Sequence, residues 1–360
     1  MDSSTERGFY STLWTGALAE AADRAKTAAA ALGDSHWAST VRAWSVPYLK
    51  YGMEEVFERP DDPKPGLTKL IDSLTEYLRA SAKSSLGRIS PPSSQREHKA
   101  PVERVTGQHY GNLFREFTPH SFAGEPVKLL GERLSRNDVR LPDLKSARVL
   151  DAGCGGGRYS VAWHLLGAGH VLGVDLSEHG IADARERAKA MKIDSVVDFQ
   201  FADVVDLPLP PDSFDIVFSN GVLHHTRDWK RGIHNLLRAL KPGGVGWLYL
   251  IENPGGYFWD INELCRDIMA NEKHEDARVA VAGLGIPANR VFYMLDHAMA
   301  PINIRLTPEE IANELATAGA TSIRRLERGV DFDRVERVYQ RDSYATDKFG
   351  VGENRFVFSK

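Results

Sequence analysis

Apolar positions recur at helical spacing over the first third of the chain and give way to short β-rich runs beyond residue 146. Tyr10, Leu13, Trp14, Ala17, Leu18, Ala21 and Ala22 follow the i, i+3, i+4, i+7 pattern of one helix face. A second stripe over 37–57 carries Trp37, Val41, Trp44, Tyr48, Tyr51, Val56 and Phe57, and Pro47 should kink or split it. A third holds Leu67, Leu70, Ile71, Leu74 and Leu78. Each stripe must be buried against something, which predicts an N-terminal helical domain over 1–86 with the aromatics in its core. Residues 87–103 are rich in Ser, Pro and charge and predict a linker. Tyr110, Leu113, Phe114 and Phe117 then mark a short helix at the start of a second domain, 104–360.

That second domain alternates. Strand-like runs fall at 147–151, 170–175, 197–203, 214–220 and 246–252, with two more at 321–327 and 355–359. Helical patterns lie between them. Ser177 is placed to cap a helix presenting Ile181, Ala184, Ala188 and Met191. Trp229, Ile233, Leu236, Leu237 and Leu240 form the next, stopped by Lys241-Pro242-Gly243-Gly244. Thr307, Pro308 and Glu310 spell a capping box with proline at the first helical position, and Gly319 is the stop. Strand–helix alternation predicts an α/β fold, a doubly wound and mostly parallel sheet covered on both faces. Residues 253–305 interrupt it. An insertion of that length in an α/β domain is expected to act as a lid or cap over a site.

Composition narrows the function classes. Lys and Arg number 45 against 49 Asp and Glu, a net charge of −4, so nothing points to duplex nucleic acid or an anionic membrane. No apolar run reaches the ~20 residues of a membrane span, and the polar start MDSSTERGFY is unlike a signal peptide. Cys154 and Cys265 are too few for a disulfide framework or a cysteine-rich zinc site. His224, His225, His297 and Glu252 lack metal-ligand spacing, so no metal is expected. The expectation is a cytoplasmic protein, able to self-associate through its N-terminal helices.

The sharpest chemical signal is Asp151-Ala152-Gly153-Cys154-Gly155-Gly156-Gly157, directly after the first strand. A glycine-rich turn at that edge lets a ligand approach the backbone. It is not a dinucleotide G-x-G-x-x-G: the third glycine position is Arg158 in one register and Ser160 in the other. No G-K-[ST] follows, so it is not a phosphate-binding P-loop.

This D-x-G-x-G-x-G run resembles motif I of the class I S-adenosylmethionine-dependent methyltransferases. The resemblance covers about 146–360 and includes Asp175 ending the second strand and Ala202-Asp203 after the third. It continues through Phe214–Asn220 into Val222-Leu223-His224-His225, and then Leu240–Gly244. It implies a Rossmann-like sheet of seven strands and S-adenosyl-L-methionine as cofactor. By the same resemblance Gly153, Gly155 and Gly157 lie against the methionine and ribose. Asp151 supports the loop and helps to hold the amino group, and Asp175 accepts from the ribose hydroxyls. Asp203 accepts from the adenine amine, with Leu176, Val204 and Asn220 lining the site. Tyr110 belongs to a helix that folds over the cofactor in similar enzymes.

His224 or His225, at the rim where the methyl group emerges, is a candidate base near neutrality, or else packs and caps the start of the next helix. Tyr257, Phe258 and Trp259 either line the acceptor pocket, the preferred reading, or bury the insertion. The expected function is methyl transfer to a nitrogen, oxygen or carbon atom of a small-molecule acceptor, such as a secondary metabolite. The alternatives are a peptide or protein acceptor, or a cofactor-binding partner protein without catalysis. Asn220 leads into Gly221-Val222 and not into the Pro-Pro-aromatic pattern of enzymes that methylate base amino groups.

Overall fold

The computed structural model describes residues 9–92, 118 and 120–360. Most of the expected linker, from residue 93, and Tyr110 with its helix lie outside the described residues. The chain divides into two compact units. The first joins Met1–Lys99 with Gly255–Ala300 and Gln340–Gly350; the second joins Ala100–Pro254 with Pro301–Tyr339 and Val351–Lys360. The expected division kept 253–305 within the methyltransferase domain. In the structure, 255–300 instead packs with the N-terminal helices.

The first unit is helical: α1 (Ala17–Ala30), α2 (His36–Phe57) and α3 (Pro63–Ala82) pack together with Gly256–Ile268, His274–Ala282 and Ala288–Met299. The stripe read from Tyr10 starts too early. Gly16 at φ +62° precedes the helix, and the entry is held instead by side chains. Tyr10 donates to Asp267 at 2.7 Å, and Ser11 donates to Asp260 through its amide and its hydroxyl. Pro47 does not split α2. It removes one backbone donor. Buried Val41, Val46, Leu49 and Met53 run through both halves of the helix, which packs on α3, 256–268 and 274–282.

The second unit is a seven-stranded sheet in the order β3-β2-β1-β4-β5-β7-β6. Its strands are β1 (Arg148–Ala152), β2 (His170–Asp175), β3 (Val197–Phe201), β4 (Phe214–Asn220), β5 (Leu240–Leu250), β6 (Thr321–Arg325) and β7 (Asn354–Ser359). The first five pair in parallel and β7 is antiparallel to both neighbours. Strand alternation feeds two cores. Leu150, Val217 and Leu248 face one side, with Ile233, Leu236, Leu237, Ile311 and Leu315 of the covering helices. Val149, Ile216, Phe218 and Trp247 face the other, with Leu130, Trp163, Ile181 and Ala184. Ser177 caps its helix through Gly180 N–H at 3.0 Å, and the Thr307–Glu310 capping box is formed in both directions. β5 begins at Leu240, earlier than its apolar run suggested, because Leu240 already pairs with Phe214; Lys241–Gly244 bulge out before the regular register resumes at Val245 and Ile216.

Parallel pairing brings the carboxyl ends of β1 to β5 to one edge. Strand order reverses between β1 and β4, and the glycine-rich loop leaves the sheet there. That crevice is where open α/β sheets bind ligands.

Candidate functional site

Gly153, Gly155 and Gly157 all have positive φ, at +85°, +53° and +84°. Two of them are glycine for reasons inside the protein. A Cβ on Gly153 would lie 2.3 Å from Val222, and one on Gly157 would lie 2.7 Å from the Phe199 ring. The loop is thus seated on protein side chains below. It is also tied to β2, since the amides of Gly153 and Cys154 both donate to the Val174 carbonyl, at 2.8 and 3.0 Å.

Asp175 joins the loop to the end of β2. One carboxylate oxygen accepts from Gly155 N–H and the other from Ser177 N–H, each at 2.8 Å. Burial pushes this carboxyl up and the backbone donors pull it back. A carboxylate has about four lone-pair sites, so acceptor capacity remains for a ligand. Leu176, half-buried, separates these contacts. Asp151 is buried at the end of β1, where Ser160 Oγ donates to it at 2.6 Å. Burial raises its pKa to about 7, with the Ser160 hydrogen bond opposing and the nearby Asp175 charge adding to the rise.

Asp203 closes a turn on its own backbone, accepting from Val205 N–H at 2.8 Å, and its other oxygen faces Arg227 at 3.4 Å. Val204 is buried beside it. Asn220 Oδ1 accepts from the Trp247 indole at 3.2 Å, which fixes the orientation of the amide at the end of β4. The structure therefore brings Asp151, the glycine loop, Asp175, Asp203 and Asn220 to one sheet edge.

The two histidines differ. His224 is buried, and its Nδ1 accepts from Ile251 N–H at 3.3 Å. Burial, followed by the adjacent His225, holds its pKa well below the usual histidine value. It is a neutral packing group with a tyrosine neighbour, Tyr249, at 6.0 Å between rings. His225 Nδ1 faces the Ile302 carbonyl at 2.7 Å. A carbonyl only accepts, so Nδ1 carries a proton.

Arg158, the residue that broke the dinucleotide pattern, is turned away from the loop, donating to Glu125 at 2.8 Å and to the Ser121 carbonyl. Sequence reasoning used Ser160 only as the residue that breaks the second dinucleotide register, missing its hydrogen bond to Asp151, and passed over Tyr249 as one more position of the fifth strand. Glu252 is committed to Arg334, at 2.7 Å. Among the described residues no group of three or more His, Cys, Asp or Glu side chains could hold a metal ion, and no helix is long and apolar enough to cross a membrane.

A family model described as a methyltransferase domain matches residues 150–248, from β1 through most of β5. Over 151 residues the chain is 32% identical to the 27-O-demethylrifamycin SV methyltransferase of Amycolatopsis mediterranei, covering 40% of this chain and 56% of that one. It is 30% identical over 138 residues to methyltransferase GfsG of Streptomyces halstedii, 38% and 48% of the two chains. It is 40% identical over 107 residues to a malonyl-(acyl-carrier protein) O-methyltransferase of Enterobacter lignolyticus, 30% and 40% of the two chains. The chain spans about half the length of these curated relatives. Residues 150–248 thus match a methyltransferase domain and are similar in sequence to the corresponding part of these methyltransferases.

Proposed function

We propose that the protein transfers a methyl group from S-adenosyl-L-methionine to an oxygen atom of a small-molecule acceptor. The observation that carries this reading is the Asp175-braced glycine loop at the switch point between β1 and β4. The donor set suits this cofactor. Carboxylates end β2 and follow β3, where a nucleoside presents hydroxyls and an amine. Asp175 would accept from the ribose hydroxyls, Asp203 from the adenine amine, and Asp151 would steady the amino group. Leu176, Val204 and Asn220 would line the pocket. When bound, the cofactor supplies a methyl group already activated by its sulfonium. The protein then has to align the acceptor, keep water out and take one proton. His225, at the exit of β4 with its Nδ1–H anchored on the Ile302 carbonyl, would take the proton. His224, neutral and bonded through Nδ1, would support it. The names of two of the relatives, each an O-methyltransferase or an O-demethyl-substrate methyltransferase, favour oxygen over nitrogen or carbon.

Titration calorimetry tests the first half: S-adenosylhomocysteine should bind and NADH should not, and heat with NADH alone would defeat the proposal. Incorporation of labelled methyl into hydroxylated small molecules, compared with peptides, tests the second.

Asp175→Ala should weaken S-adenosylhomocysteine binding about ten- to a hundredfold, the equivalent of losing a charged hydrogen bond of roughly 1.5–3 kcal/mol. An unchanged dissociation constant would place Asp175 outside the ribose site.

Binding should also depend on pH. With its pKa at about 7, Asp151 is partly protonated in the empty site at neutrality. A ligand cation favours the carboxylate, so binding expels a proton. Affinity for S-adenosylhomocysteine should therefore fall on acidification from pH 8 to 6, by at most about tenfold per pH unit below the pKa. Calorimetry in buffers of different ionisation heat would count the proton, and Asp151→Asn should abolish the dependence. A flat profile between pH 6 and 8 would separate Asp151 from the amino group.

A further inference from the structure

The segment after residue 300 returns to the ligand edge of the sheet. Ile304 N–H donates to the His224 carbonyl at 3.0 Å, and Leu306 N–H donates to the Ile251 carbonyl at 3.0 Å. With the His225–Ile302 bond, residues 302–306 are laced to the exits of both β4 and β5. Ile304 and Leu306 enter the hydrophobic core beneath. Asn303 lies between the two residues that touch the histidines, and it has no such home. Its Oδ1 and its Nδ2 are both buried, and neither has a hydrogen-bond partner. Among the described residues no other side chain leaves both a donor atom and an acceptor atom buried and unpaired.

A buried amide that makes neither bond is costly, and folded proteins leave few of them. Leucine would fill the same volume without that cost. An asparagine kept there implies a group that arrives from outside the fold. The amide offers an acceptor and a donor side by side, so its complement carries a donor and an acceptor on neighbouring atoms.

We propose that Asn303 is a specificity-determining residue for the methyl acceptor, selecting molecules with two adjacent oxygens. A hydroxyl would donate to Oδ1 while the neighbouring oxygen accepts from Nδ2, as catechols and α-hydroxy ketones allow. The assignment rests on the methyltransferase reading above. It adds the chemical class of the acceptor and names the residue that reads it.

The test uses the full chain saturated with S-adenosylhomocysteine and titrated with catechol, with 1,2-dimethoxybenzene as the control lacking a donor. Wild type should bind catechol and not the control. Asn303→Leu should bind catechol about tenfold more weakly or worse. Its S-adenosylhomocysteine affinity should stay within about threefold, and its Tm should be unchanged or higher, because an unpaired polar group has been removed. Asn303→Asp supplies two acceptors and no donor, so it should keep catechol and lose hydroxyacetone, which decides the matter if the leucine variant fails to fold. Three results overturn the proposal: no catechol binding by the loaded wild type, equal catechol affinity in all three proteins, or a lower Tm for a folded Asn303→Leu. If S-adenosylhomocysteine itself does not bind, the methyltransferase reading falls first and takes this one with it.

Discussion

Asp333→Ala should destabilise the second unit by about 3–5 kcal/mol, the cost of breaking a buried ion pair from one side. Asp333 is 3% exposed and accepts from Arg133 through both oxygens, at 2.8 and 2.7 Å. Arg355 adds a contact at 3.2 Å, and Val330 N–H another at 3.0 Å. Glu353 links Arg355 to Arg334, and Arg334 reaches Glu252 just beyond β5. Removing the shared carboxylate leaves two buried guanidinium groups without it. The same ladder gives a sign to acid sensitivity. The arginines hold the carboxyls of Asp333 and Glu353 below their ordinary range. A depressed carboxylate stabilises the fold above its unfolded pKa of ~4, and that contribution is lost as pH falls towards the folded value. Wild type should therefore weaken below about pH 4, and Asp333→Ala should show a shallower slope there. Denaturant unfolding, with hydrogen exchange read on 125–136 and 353–359, would measure both. A loss under ~1 kcal/mol would mean that the ladder is already well hydrated.

Trp259→Ala should cost the first unit about 3–5 kcal/mol, the range for truncating a buried aromatic. The side chain is 1% exposed. Its ring packs on His297 at 4.9 Å and on Phe258 at 5.4 Å. Gly255 is glycine because of it, since a Cβ there would lie 2.1 Å from the indole. The sequence pattern favoured Trp259 as part of an acceptor pocket; the packing makes it a core residue of the helical unit. Affinity for S-adenosylhomocysteine in the molecules that remain folded should be unchanged. Urea unfolding and calorimetry on the same variant separate the readings: normal stability with impaired methyl transfer would return Trp259 to the acceptor.

The difference between these two residues shows what a sequence can carry. Asp151, Gly153, Gly155 and Gly157 sit within seven positions, and their order fixes both a strand end and a left-handed loop whatever the rest of the chain does. Asp175 and Asp203 were legible because each terminates a recognisable strand, and parallel pairing then has to bring those ends to one edge. The capping box at Thr307 and the cap at Ser177 are likewise local, decided within four residues.

Other features depended on partners distant in the chain. The helical spacing from Tyr10 was genuine periodicity, but Tyr10 and Ser11 satisfy their polar groups on Asp267 and Asp260, some 250 residues away, in a non-helical entry. The Asp333 ladder joins segments around 133, 252, 333 and 355, and no spacing in the sequence announces it. His224 and His225 are adjacent and identical in type. Their different tautomers follow from Ile251 N–H on one ring and the Ile302 carbonyl on the other.

The sequence by itself determined the strand order's raw material, the ligand loop and the acids around it, because those depend on backbone conformation and on neighbours a few residues apart. Tertiary structure alone decided which unit claims 255–300, which ring nitrogen of each histidine is hydrogen-bonded, and where Asn303 is left unsatisfied. An amphipathic pattern states that a face must be buried and leaves the partner open, and a hydrogen bond between residues 80 apart exists only once the chain has closed on itself.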